Sequence, residues 1–122
     1  MRIDLHREDA RGDVLTLLEP LAIHWRDREL IVPEGFASDG ASVPRAFWST
    51  VSPRVDPATI RGAVAHDYLY RRHPDGWTRV EADRLFRELI AEDGLARFPA
   101  FKAWLGVRLF GGRAWRAGGG RR

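Results

Sequence analysis

The 122-residue sequence contains no cysteine and a single methionine. Without thiols the chain can form neither a disulfide nor a thiolate metal site, and its stability must come from packing. Long apolar runs are also missing: Leu30 to Val32 and Ala63 to Ala65 are typical of what there is, far short of the ~20 residues a membrane helix needs. The first residues, Met1-Arg2-Ile3-Asp4-Leu5-His6-Arg7-Glu8-Asp9, mix acids and bases around no apolar segment, so no secretory signal is expected. The chain is therefore expected to stay inside the cell that makes it unless it leaves by lysis or in a particle.

Hydrophobic residues make up 44% of the chain and charged residues 30%, a balance that sets aside disordered, collagen-like and coiled-coil classes. The net charge of +3 is unevenly placed. From Ala96 onward the bases are Arg97, Lys102, Arg108, Arg113, Arg116, Arg121 and Arg122, with no acid among them, which leaves the first 95 residues at −4. Such a basic end suits nucleic acid, phosphorylated lipid headgroups or an acidic protein. A solvated helix face followed by a frayed tail is the plainer reading and carries more weight.

The pattern predicts a single α+β domain over residues 1–115, a small N-terminal antiparallel sheet followed by about three helices, with 116–122 as a flexible basic tail. Val14 to Leu18, Leu21 to Trp25 and Glu29 to Val32 read as strands, the last two joined by a loop at Arg26-Asp27-Arg28. Phe36 to Pro44 has neither helical nor strand periodicity and reads as an ordered loop. Asp56 as N-cap and Pro57 at the first position predict a helix to about Arg71. Thr78 and Glu81 have capping-box spacing for a second helix that ends near Asp93-Gly94, and a third is expected from about Phe98 to Phe110. Of the aromatic residues, Phe36, Phe47, Trp48, Tyr68, Phe86, Phe101 and Trp104 are expected in the core, while His6, His24 and His73 are expected in surface or packing roles.

The one concentrated chemical signal is His66-Asp67. Adjacent helical side chains diverge by about 100°, so the two cannot satisfy each other and each needs a separate partner. Ala63, His66, Asp67 and Tyr70 share a broad stripe of the first helix, and Asp83 sits at the rim of the apolar stripe of the second. A rim carboxylate needs a donor, so an Asp83–His66 hydrogen bond is expected, with Tyr70 donating to Asp83 or to a substrate. Losing Asp83 to alanine should then cost ~1–3 kcal/mol through the unpaired imidazole. Histidine so held can take a proton from water, and an aspartate pointing elsewhere can hold a cation. Asp39 and the Gly40 carbonyl, in Asp39-Gly40-Ala41-Ser42, could complete an oxygen shell suited to calcium, or the segment could be an Asx-type turn.

Taken together, Phe36-Ala37-Ser38-Asp39-Gly40-Ala41-Ser42-Val43-Pro44-Arg45, Phe47-Trp48, Ala65-His66-Asp67-Tyr68-Leu69-Tyr70-Arg71, Glu81 to Phe86 and Val107 to Gly111 closely resemble a domain family carried by bacteriophages and prophages. That resemblance implies a phage-associated protein, in the cytoplasm of the producing bacterium or in a phage particle, with other phage proteins as partners. The order of an Asp-Gly-x-Ser loop, His-Asp-x-x-Tyr on one helix and Asp-x-x-Phe on the next also resembles the secreted phospholipase A2 superfamily, especially its microbial branch. The second resemblance implies His66 as general base, Asp83 as the residue orienting it, Asp67, Asp39 and the Gly40 carbonyl as calcium ligands, and anionic phospholipid as the partner. Two readings stand: a calcium-dependent esterase, with His66, Asp83 and Tyr70 as its catalytic group, or a non-catalytic particle or assembly protein that keeps the His-Asp network for its fold.

Overall fold

The structure, a computed structural model, describes residues 2–8, 12–38 and 58–118, with the backbone alone at 5–8 and 12–14. The chain divides into two compact units, Met1–Asp39 and Gly40–Arg122.

The first unit is all β. Strands β1 (Ile3–Glu8), β2 (Gly12–Leu17) and β5 (Ala37–Ser38) form an antiparallel sheet in the order β1-β2-β5. β3 (Leu21–Trp25) and β4 (Arg28–Val32) form a separate antiparallel hairpin, in which Leu21 faces Val32 and Trp25 faces Arg28. Apolar and polar residues alternate along β3, so Leu21, Ile23 and Trp25 point inward with Leu30 and Val32 of β4. His24 and Glu29 pair on the exposed side at 3.2 Å, the surface role expected of His24. The hairpin turns through Arg26 at φ 58, a left-handed conformation of the kind that two-residue connections demand. Phe36 is buried, as expected. β1 and the two residues of β5 add to the strands read from the sequence.

The second unit is helical: α1 (Ile60–Arg72), α2 (Arg79–Glu92), α3 (Arg97–Phe110) and the short α4 (Gly112–Ala117). The expected caps Asp56 and Pro57 lie outside the described residues, as do Phe47 and Trp48; α1 has Thr59 at its N-cap. α2 begins as predicted. Thr78 accepts from the Glu81 amide at 3.2 Å while the Glu81 carboxylate accepts from the Thr78 amide at 3.0 Å. Thr78→Ala, which removes one half of this reciprocal cap, is expected to lower the stability of the helical unit by about 1 kcal/mol in urea denaturation. α4 carries helical backbone through Ala117, into the segment expected to be a tail.

α1 and α2 run antiparallel, since their contacts appear in opposite order along the chain: Arg61 with Asp93, Gly62 with Ile90 and Phe86, His66 with Asp83, Tyr70 with Arg79. Gly62 allows the close approach. A Cβ there would lie 2.8 Å from the Ile90 methyl and 3.4 Å from the Phe86 ring. Phe86 and Ile90 then pack with Ala100, Ala103 and Val107, so small residues on one side of α3 bring it down onto α2. At the far end of the hairpin the Arg61 guanidinium bonds Asp93 at 2.9 and 3.0 Å and Glu92 at 2.9 Å, and the bond to Asp93 is the main cause raising the Arg61 pKa.

Candidate functional site

His66, Asp67 and Tyr70 lie on α1 and Asp83 on the second turn of α2, all four buried. The expected pairing is present: His66 Nε2 lies 2.7 Å from Asp83 Oδ1. Tyr70 donates its hydroxyl to the same oxygen at 2.6 Å. Both side chains reach one carboxylate because residues four apart on a helix stack on one face, and their rings lie 4.1 Å apart between centroids. Phe86 closes the other side of the imidazole at 4.9 Å.

Two arginines complete the site. Arg108 of α3 donates Nη1 to Asp83 Oδ2 at 2.7 Å. Arg79, one turn before Asp83 on α2, stands 3.9 Å from the same oxygen and donates Nε to the Tyr70 hydroxyl at 3.2 Å. Its Nη2 donates to the carbonyls of Val107 and Arg108 at 2.6 and 2.8 Å, in the last turn of α3 at the negative end of the helix dipole. Sequence reading missed both. Arg79 could have been found from its i,i+4 spacing to Asp83, whereas Arg108 is 25 residues away and has no local signal. Trp115 of α4 adds an edge-on contact to Tyr70 at 5.2 Å and stacks on His73 at 3.6 Å, which gives His73 its packing role.

The electrostatics fix the protonation pattern. Burial alone would raise the Asp83 pKa, but the hydrogen bonds from His66, Tyr70 and Arg108 outweigh it and hold the carboxyl below its ordinary value. Burial raises the Tyr70 hydroxyl, and its bond to the Asp83 carboxylate raises it further, so Tyr70 remains a donor. An ionised carboxylate only accepts, which makes His66 Nε2 the donor and places the imidazole proton on that nitrogen.

Asp67 is buried on the same helix. Asp39 and Gly40, the other expected calcium ligands, lie outside the described residues. Among the described residues no group of three or more histidine, aspartate or glutamate side chains could hold a metal ion. No helix among them is long and apolar enough to cross a membrane.

Comparison with known proteins places this geometry in a family. A family model described as "Protein of unknown function (DUF1353)" matches residues 15–107, a span that includes His66, Asp67, Tyr70, Arg79 and Asp83. The chain is similar to "Uncharacterized protein y4jT" of Sinorhizobium fredii (strain NBRC 101917 / NGR234), 35% identical over 51 residues, or 42% of this chain. The match spans 14% of that relative's length. No solved structure matches. The chain belongs to the DUF1353 family.

Proposed function

We propose that this DUF1353 protein is a phage-associated hydrolase of phospholipid esters in which His66 is the general base. The observation that carries the reading is the 2.7 Å bond from His66 Nε2 to an ionised Asp83 that also receives Tyr70 and Arg108. It fixes the ring's orientation and offsets the positive charge the imidazole acquires on taking a proton. Water attacking the ester carbonyl would form the new C–O bond as its proton passes to the imidazole. The imidazolium would then return that proton to the departing alkoxide. Asp83 and Tyr70 hold the ring throughout. Calcium would polarise the carbonyl, and Asp67 is the one described residue expected to bind it. The phage association rests on the order of motifs along the chain.

One observation favours the second reading, a non-catalytic particle or assembly protein. His66 and Asp83 are 0% exposed and Asp67 is 1% exposed, and a fully satisfied polar network of this kind can serve to specify a core. A single experiment separates the two. Purified protein is incubated with anionic phospholipid vesicles, with calcium and with a chelator, and fatty-acid release is followed. Release that depends on calcium supports the hydrolase; equal and negligible release in both conditions supports the structural role.

A further inference from the structure

α3 has two apolar faces and only one of them is buried. Ala100, Ala103 and Val107 point into the core, but Phe98 is 73% exposed, Phe101 40% and Leu109 62%. With Leu105 these residues recur at spacings of three, four and four, a continuous stripe along the side of α3 opposite its core face. Phe101, expected in the core from its place in the sequence, is thus a surface residue, with the Arg87 guanidinium 5.4 Å from its ring centroid. A surface helix of a self-contained domain shows one apolar stripe and a charged opposite face, as α2 does; a second stripe marks a surface that meets something.

The charges around the stripe select the partner. Arg97 and Lys102 lie on α3, Arg113 and Arg116 follow on α4, and residues 97–118 contain no acid. Lys102 sits within the stripe itself, where a long stem can lie along apolar surface while its ammonium reaches out to headgroups. A second copy of the chain docking α3 against α3 would set the cations of the two helices against each other with no acid on either helix.

We propose that the outer face of α3 is a docking surface for an anionic lipid bilayer, with Phe98, Phe101, Leu105 and Leu109 entering the acyl boundary and Arg97 and Lys102 meeting the headgroups. The helix lies in the plane of the interface and spans nothing. The proposal rests on the phospholipid reading for its relevance, but its readout is binding, so it fails or succeeds apart from hydrolysis.

The test is flotation of the full chain with vesicles of phosphatidylglycerol and of phosphatidylcholine. Binding is expected to phosphatidylglycerol, to weaken as salt is raised, and to be much poorer on phosphatidylcholine. Phe98→Ser combined with Leu109→Ser should lower the affinity for phosphatidylglycerol by about tenfold or more while leaving thermal melting unchanged, because both side chains are already in water. Should the double variant melt lower, Phe98→Ser alone carries the test. Absence of binding to either vesicle overturns the proposal, as does undiminished binding by the variant. Concentration-dependent dimerisation that the same substitutions abolish would assign the face to a second copy, and loss of binding to an acidic protein alone would assign it to that partner; both results overturn the lipid surface.

Discussion

Replacing Asp83 with alanine is expected to destabilise the helical unit by about 3–5 kcal/mol, at or beyond the top of what the sequence alone suggests. From sequence the carboxylate has His66 as its expected partner, with Tyr70 donating either to it or to a substrate. In the structure it is the common acceptor for His66, Tyr70 and Arg108, and it is fully buried. The alanine variant leaves three donors without their acceptor, one of them a guanidinium that is largely out of water. Urea denaturation followed by helical circular dichroism measures the effect. A loss below about 1 kcal/mol, the range of an ordinary surface change, would mean that the network contributes little.

The same carboxylate sets a pH dependence. Because Asp83 has a folded pKa below its unfolded value of 3.8, the network's contribution is fully present above that value and is lost as pH falls through the folded pKa. The wild-type protein should therefore lose stability in acid below about pH 4, and the alanine variant should lack this component.

His66→Ala is expected to lower ester hydrolysis at least about a hundredfold, the usual scale for removing a general base. Its cost in stability is smaller than that of the Asp83 variant, about 1–3 kcal/mol, because Asp83 keeps Tyr70 and Arg108 as donors. The two effects are separable by measuring hydrolysis and the folded fraction on the same sample at low temperature. A loss of hydrolysis that merely tracks the folded fraction would make His66 a structural residue; a loss far exceeding it identifies the base. Calcium binding should survive the substitution, since the imidazole faces Asp83 and not a cation.

What could be read in the sequence is what depends on local pattern. The alternation in Leu21 to Trp25 and the Thr78–Glu81 box act within a few residues, and both are found in the structure. The His66–Asp83 bond was legible because a carboxylate at the rim of an apolar stripe calls for a donor and the short loop at residues 74–77 brings the two helices together. Arg108 was not, because it comes from another helix and looks, in sequence, like any solvated arginine. β5 is two residues long and exists through its pairing with Leu15 and Thr16, which no local periodicity reports. Phe101 shows the limit most directly. An apolar residue on a helix with two apolar faces is assigned to the core by composition, and only the packing of Ala100, Ala103 and Val107 against α2 decides which face faces out.

The sequence distances within the polar network bear on the order in which the helical unit assembles. Tyr70 and His66 are 13 and 17 residues from Asp83, whereas Arg108 is 25 away and Arg61 meets Asp93 across 32. Loop-closure entropy favours the shorter spans, so the α1–α2 hairpin is the natural nucleus, and the His–Asp–Tyr cluster closes with it before α3 arrives. Until α3 arrives, the only guanidinium the cluster meets is that of Arg79 on α2, bonded to Tyr70 and 3.9 Å from the carboxylate. The docking of α3 is thus the late step that brings Arg108 onto Asp83, and substitutions at Arg108 should speed unfolding more than they slow folding.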